Sequence, residues 1–513
     1  MLGFSPFAFI LPCLLFLFML IKIFKARSSN ALKLPPGPKK LPLIGNLHQL
    51  ISPELPHHHL NNLAKTYGPI YHLKVGELTL IILATPEIAR EVLKKHEINF
   101  AQKPLFPSLE MMGDMSSSFM YAPYGEYWRQ LRKICVLELL SVKSVRSFQS
   151  IREDETSNLV QFVRSLQGCP LNLTNKITSC LNAIISRAAF GQSYKHQEYL
   201  SALKEAIEQV GGFNFADVFP SLRILRYVRG RKWRLDSIRR RCDQISNDIL
   251  NDHRRQRENL SCTREDSFVK EDFVDVLLRI QESNELGFPL TDNHIKSLIL
   301  EFFGGGTDTT SVTVEWAMSE LLKNPQVMAN AQAEVREALK GKDQVQDSDL
   351  EDLKYLKSVI KETLRLHPPV PLVPREARKS CKIKGYDIPA KSRVLIHAGA
   401  LGRDPNHWED PEKFQPERFL ESPVDFIGTY YHFIPFGFGR RVCPGIAFAM
   451  ANIELLLALL LYHFDWALPD GQTPEELDMI EDFAATVRRK SDLYAIATLP
   501  SHGHASRPGG FQA

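Results

Sequence analysis

The chain is poor in cysteine, and the cysteines it has do not pair by pattern. Eight of them, at positions 13, 135, 169, 180, 242, 262, 381 and 443, are scattered through 513 residues without a C-x-x-C or a regular spacing. That scatter excludes a disulfide-stapled secreted domain and fits a reducing compartment. It excludes a zinc centre too, because zinc wants clustered cysteine and histidine ligands. Net charge is also low: +4 at this length argues against a protein built mainly to coat nucleic acid. No repeat of solenoid period is present, which removes repeat arrays. The 32 prolines sit in a few clusters, so they do not make a disordered chain. What is left is ordinary globular composition, 44% hydrophobic and 24% charged.

The N-terminus departs from that average. Residues 2–21 carry no charged side chain, about enough apolar helix to cross a ~30 Å hydrocarbon core. Lys22, Lys25 and Arg27 follow directly, which places the remainder on the cytosolic side. A cleaved signal peptide would carry its positive charge before the apolar run and small residues after it. Residues 1–21 are therefore expected to be a retained anchor helix. Residues 22–46 form a basic and Pro-rich linker, with Leu-Pro-Pro-Gly-Pro at 34–38 holding the chain extended as a spacer.

One large unit is expected over 47–500, with a disordered tail at 501–513. Helical patterns dominate it. Residues 71–86 read as a strand pair turning near Gly76 and Glu77. Residues 350–367 read as a helix stopped by Pro368 and Pro369. The charge-rich stretch 252–267 reads as a solvated helix end and loop.

The cysteine that stands out is Cys443, in Phe436-x-x-Gly439-x-Arg441-x-Cys443-x-Gly445. A lone cysteine is ordinarily a small core residue. Here five residue types are fixed within ten positions, and the stretch resembles the heme-thiolate loop of the cytochrome P-450 superfamily. The resemblance implies heme b as cofactor, with the Cys443 thiolate as the axial iron ligand. Glycines would let the backbone pass close to a flat macrocycle, and free N–H groups in the turn would hold the sulfur as thiolate. Arg441 would pair with a heme propionate.

Four more segments match the family in the right order. Gly304-Gly305-Gly306-Thr307-Asp308-Thr309-Thr310 lies inside an apolar helical segment, where three glycines cost about 1 kcal/mol each. A broken or widened helix facing a ligand cavity is the expected reason. By resemblance to the oxygen-binding groove, Asp308 and Thr309 deliver protons for dioxygen activation, and Gly305 and Gly306 make room for it. Glu362 and Arg365 match E-x-x-R, joined by Arg418 of Pro416-Glu417-Arg418-Phe419 in a structural network. Trp128 and Arg132 match W-x-x-x-R and lie on one helix face, each within reach of a propionate. Arg375, after the Pro-rich run 368–374, supplies another propionate contact. The departures are few: Gly305 stands where alanine is commoner, and a tryptophan often seen before Gly402-Arg403-Asp404-Pro405 is missing.

The implied fold is mainly α with small β-sheets, a single large domain behind an N-terminal transmembrane helix. The implied setting is the endoplasmic reticulum membrane, with the catalytic domain cytosolic. The implied function is a monooxygenase fed by NADPH-cytochrome P-450 reductase, which docks on the Cys443 side against cations such as Lys133 and Arg440; Arg440 reads equally well as a solvated loop residue. The wording of Tyr121–Cys135 and of Gly402–Trp408 resembles the plant microsomal branch of specialised metabolism, rich in terpenoid oxidases. An apolar terpenoid is therefore the first substrate class, with alkaloids or phenolics second. Contacts are expected from 103–120, 206–220, 300–305, 370–373 and 483–487, with Phe213, Phe215, Val370, Leu372, Val373 and Phe483 prominent; several of these read equally well as core. A heme-thiolate isomerase or dehydratase needing no reductase is the rival of a different class. Asp308 and Thr309 argue against it. A heme sensor is a weaker third reading.

Overall fold

A computed structural model of the chain describes residues 32–112, 117–191, 201–202, 205, 215–221, 231–263, 271–283, 288–342, 344–427 and 429–500. The expected anchor, the first part of the linker, Phe213 and the tail lie outside them, as do the side chains of Phe215 and Cys262. All six cysteines with described side chains are free thiols.

Helices dominate, as the composition and periodicity lead one to expect. Among the described residues ten run eight residues or longer: α1 Pro56–Tyr67, α2 Glu126–Lys133, α3 Gln149–Ser165, α4 Leu173–Phe190, α5 Arg231–Thr263, α6 Phe273–Ser283, α7 Asp292–Lys323, α8 Pro325–Ala338, α9 Lys354–Leu366 and α10 Ile446–His463. The strands are short: β1 Ile70–Val75, β2 Leu78–Leu83, β3 Pro170–Asn172, β4 Leu372–Glu376, β5 Cys381–Ile383, β6 Tyr386–Ile388, β7 Arg393–His397, β8 Asp465–Ala467, β9 Glu481–Phe483, β10 Val487–Arg489 and β11 Tyr494–Thr498.

The main core lies among the helices. α10 is apolar enough by length and composition to cross a membrane, yet it packs against α3, α7 and α8 and fills the centre with Leu455–Leu461. α7 packs along α4. A four-stranded sheet in the order β1-β2-β7-β4 forms the second layer. β1 and β2 are the expected hairpin, paired Ile70↔Leu83 through Val75↔Leu78 and turned at Gly76, whose φ is +57°. A Cβ there would also stand 2.5 Å from Val218. β2 runs parallel to β7 with Leu80 opposite Arg393, so the sheet waits on a strand more than 300 residues downstream.

Several sequence readings are corrected. The described part of the Pro-rich linker is bonded to the body from Lys33, whose carbonyl accepts from Asp387 N–H at 2.7 Å. It is then stitched to β1: His72 N–H donates to the Pro36 carbonyl at 2.8 Å, and Lys74 N–H to Asn46 Oδ1 at 2.8 Å. The carbonyls of a proline run need donors, and β1 supplies them. Helix α9 begins at Lys354, because Asp347–Leu350 forms a 3₁₀ turn. The charge-rich stretch after 252 is helical to Thr263, and its arginines bind neighbouring helices: Arg254 to Asp292 at 2.6 Å and Arg257 to Glu282 at 2.6 Å.

Two polar clusters hold the layers. Glu481 of β9 is bonded by His57 at 2.7 Å and His58 at 2.8 Å, both from α1, and His367 bonds Glu320 of α7 at 2.7 Å on the same side. Glu362 and Arg365 of α9 form the second. Arg365 donates to both Glu362 oxygens, at 2.7 and 2.8 Å, and to the carbonyls of Gly402, Pro411 and Lys413. Arg418 Nε donates to Glu362 at 3.0 Å. Glu362 is 0% exposed, so the E-x-x-R pair is buried, as the motif implies, and it fixes the segment leading to Cys443.

Candidate active site

The Cys443 loop is shaped by two left-handed glycines, Gly437 at φ +73° and Gly439 at φ +68°. A side chain at Gly439 would be strained there and would stand 3.0 Å from Glu97. The loop closes when Cys443 N–H donates to the Phe436 carbonyl at 3.0 Å, while the Phe436 ring packs edge-on against Phe426. Burial pushes the Cys443 thiol up. The Gly445 N–H and the charges of Arg132 and Lys103 pull it back toward thiolate. A Cβ on Gly445 would lie 3.9 Å from the sulfur. The backbone donor expected in this turn is therefore Gly445.

Around the loop stands a group of cations. Arg132, on the same face of α2 as Trp128, donates to the Val442 carbonyl at 2.6 Å, one residue before the cysteine. Arg441 lies flat on Trp128, 4.1 Å from the ring centre, and donates to the carbonyls of Ala101, Phe119, Met120 and Ala122. Trp128 gives its indole N–H to the Phe119 carbonyl at 2.9 Å. Arg375 of β4 is 2% exposed; its Nη1 donates to the Pro374 carbonyl, and its Nη2 has no partner. Lys103 joins them from the segment after α1 and the first hairpin. Burial, together with the neighbouring Arg375 and Arg441, lowers its pKa to about 8, against the opposing pull of Glu301 and Cys443. Burial likewise pushes Arg441 down to about 9 and Arg375 to about 10. Guanidinium keeps its proton at any working pH, so these shifts express a cost: four cations converge where, among the described residues, Glu301 is the one carboxylate found facing them.

Glu301 sits in α7, one turn before Gly305. It accepts from the Ser118 hydroxyl and from Met120 N–H at 3.1 Å, and burial raises its pKa to about 7. It thereby anchors the loop whose Phe119 and Met120 carbonyls hold Arg441 and Trp128. Further along α7 the helix runs unbroken through Gly304–Gly306, which corrects the expectation of a break. Gly305 faces open space, with nothing within 4 Å of an added Cβ. Gly306 instead faces α4, where a Cβ would stand 3.3 Å from Ile185. The room it provides goes to helix packing. Thr309 Oγ donates to the Gly305 carbonyl at 2.8 Å, and Asp308 accepts from Thr486 Oγ at 2.5 Å.

The sequence profile of the cytochrome P450 family matches residues 35–492. The chain belongs to the cytochrome P450 family. Among similar proteins, melianol synthase CYP71BQ5 of Azadirachta indica is 51% identical over 489 residues, 95% of this chain and 96% of its own. Premnaspirodiene oxygenase of Hyoscyamus muticus is 48% identical over 486 residues, 94% and 96% of the two chains. Desmethyl-deoxy-podophyllotoxin synthase of Sinopodophyllum hexandrum is 48% identical, over 95% of each. Two solved zebra fish cytochrome P450 structures, with progesterone and with abiraterone, share the fold: TM-scores are 0.75 and 0.72 over 87% of this chain and all of theirs, at 24% and 25% identity.

This P450 is accordingly a heme-thiolate monooxygenase that takes an apolar substrate and electrons from a redox partner. The residues present fit the cofactor. An excess of buried cations, with Arg375 Nη2 unpartnered, matches the two carboxylates of a heme, and a buried thiol beside cations matches an iron ligand that must be deprotonated.

Several of the expected contact residues have protein neighbours of their own. Arg440 bonds Tyr124 at 2.9 Å and Glu97 at 3.2 Å, so its charge is partly neutralised; Lys133 is exposed at the end of α2. Phe483 stacks on His57 at 5.7 Å, and Val373 belongs to the sheet core. Lys103, Glu301 and Thr486 lie in segments expected to meet substrate, but the sequence singles out none of them. A lysine before Pro104 in an otherwise uncharged stretch was the one available hint.

Proposed function

We propose that this P450 is a membrane-anchored oxidase of an apolar terpenoid, supplied with electrons by an NADPH-cytochrome P450 reductase on the endoplasmic reticulum. The observation that carries the substrate class is the near-equal likeness, 48–51% over almost the full chain, to melianol synthases and a premnaspirodiene oxygenase. A phenolic substrate is the second reading, favoured by the 48% likeness to desmethyl-deoxy-podophyllotoxin synthase.

Bound heme would supply the chemistry: one atom of dioxygen would enter a C–H bond and the other leave as water, with two electrons and two protons consumed. The chain does the rest. Cys443 would hold the iron, with the Gly445 N–H, Arg132 and Lys103 favouring its thiolate against the opposing effect of burial. Arg375, Lys103 and Arg132 would hold the propionates. For Arg441 and Trp128 to do so, carbonyl bonds they now make must be exchanged for carboxylate bonds. Thr309 moves a proton through its Oγ when it turns from the Gly305 carbonyl, and Asp308 replenishes it. Gly305 leaves the space in which this occurs.

Membranes carrying the protein and a plant reductase, given NADPH, labelled dioxygen and a panel of sesqui-, di- and triterpenes, test the reading. One labelled oxygen in an NADPH-dependent terpenoid product, with coupling impaired in Thr309→Ala, is the expected result. Label entering phenolic lignans alone moves the substrate to the second class. A product formed without label or NADPH would instead mean isomerase chemistry.

A further inference from the structure

Asp308 is held from outside its own helix, by a residue 178 positions away. Thr486 Oγ donates to Asp308 Oδ2 at 2.5 Å. Thr486 is 4% exposed and lies in the turn between β9 and β10. That turn is itself fixed. Ala484 N–H donates to the Thr486 carbonyl at 3.0 Å, and Val487 N–H to the Pro369 carbonyl at 2.9 Å. The Val487 carbonyl accepts Trp316 Nε1–H at 3.1 Å, from α7 about two turns past Asp308. The hairpin therefore grips α7 at two places, and one of them is the carboxylate.

The other hydroxyls nearby make the choice of partner informative. Thr307 and Thr310 flank Asp308 on the same helix, and both have a buried Oγ with no partner. Thr309 gives its hydroxyl to Gly305. Asp308 bonds none of them. It is bonded across the fold, by a charge-assisted contact of the stronger kind. A carboxylate on a helix without such a tether would sample several rotamers.

We infer that Thr486 is a positioning residue for oxygen activation: its hydroxyl fixes the Asp308 carboxylate in the one orientation from which it serves Thr309. The inference rests on the proposed role of Asp308 as the proton-supplying acid. It adds that the acid is set by the β9–β10 turn, among the segments expected to meet substrate.

The full-length protein is tested with a plant reductase, without added substrate, by the rate of NADPH oxidation and its solvent deuterium isotope effect. The variants are Thr486→Val, which keeps the shape and removes the donor, Thr486→Ser, which restores it, Asp308→Asn, and the Asp308→Asn/Thr486→Val pair. Displacing a reacting group by about 1 Å costs on the order of 100-fold, so Thr486→Val is expected to slow oxidation at least ~10-fold and raise the isotope effect. Thr486→Ser should stay within about twofold of wild type, and the pair should be no slower than Asp308→Asn alone. Hydrogen exchange over 484–489 in the resting protein gives a readout apart from turnover: the valine and asparagine variants should both accelerate it, and the pair no further. If Asp308→Asn is slow while Thr486→Val matches wild type, Thr486 does not position the acid and the reading of Asp308 stands. If Asp308→Asn itself matches wild type, both fall together. Multiplying effects in the pair would also overturn the inference. Should the valine variant not load heme, Thr486→Ala takes its place.

Discussion

Arg365→Lys isolates one property of the buried network, because it keeps the charge and the aliphatic stem and removes only the fork. Arg365 uses all five of its N–H donors: two to the Glu362 carboxylate, and one each to Gly402, Pro411 and Lys413 carbonyls, at 2.7–3.0 Å. Lysine has three donors on one atom. It can therefore serve no more than three of those five acceptors; Glu362 Oε1 keeps Arg418 and Gln415, so one or two are left unserved, in a site where Arg365 is 1% exposed. Each unserved buried group costs about 1–3 kcal/mol. The substitution should thus cost about 1–6 kcal/mol, with the lost stacking over Trp408 adding up to ~1 kcal/mol. Against a usual stability of ~5–15 kcal/mol, that brings the fold near its limit. Two measurements check it: the fraction of purified protein giving a thiolate-type reduced CO spectrum, and the midpoint of thermal inactivation at a fixed scan rate, since a chain of this size unfolds irreversibly. Occupancy should fall severalfold and the midpoint by several degrees. Wild-type occupancy with a midpoint within about 1 °C would mean that the fork is not what holds the segment before Cys443.

Three other perturbations separate the remaining parts of the argument. Gly402→Ala places a Cβ 2.6 Å from the Arg365 carbonyl, a clash with backbone worth about 1–3 kcal/mol, and thermal inactivation should shift down accordingly. Arg375→Met removes a buried, half-unpartnered charge, so the heme-free protein should become more heat-resistant while heme passes faster to an apo-globin acceptor; slower passage would contradict the propionate role. Burial raises the Glu315 carboxyl to about 7, against the hydroxyl of Thr174 and the charge of Arg489. The folded state then binds the extra proton between about pH 4.5 and 7, so this group makes stability fall as pH rises through that window. Glu315→Gln should raise the thermal midpoint at pH 8 and leave it nearly unchanged near pH 4.5, because glutamine still accepts from Thr174. A midpoint gain of equal size at both pH values would refute the assignment.

Local chemistry made part of this legible in advance. The Cys443 loop, the Glu362–Arg365–Arg418 network and the β1–β2 hairpin each depend on residues within a short window or on a dense motif, and each stands where the sequence places it. Lys103, Glu301 and Thr486 share the opposite property. Their partners lie between about 180 and 340 residues away, on elements whose approach no periodicity reveals. The glycine trio misled for a related reason: helix propensity argues for a break at Gly304–Gly306, but packing of α4 onto Gly306 sustains the helix. The proline run reads as a spacer because its partner, β1, is visible only in three dimensions.

The parallel pairing of β2 with β7 and the grip of α1 on Glu481 set an order of events during synthesis. At roughly 5–20 residues per second, the β1–β2 hairpin leaves the ribosome on the order of half a minute before β7 follows. α1 waits longer still for Glu481. Until then the edge of β2 is unpaired and α1 is held only on its β1 side, where Tyr71 donates to the Leu60 carbonyl, so the nascent chain stands with apolar surface exposed. Cys443 emerges late in the same sequence, after both halves of the sheet. Heme can be captured only by a chain that is almost complete, and a polypeptide truncated before residue 443 has no means of retaining it.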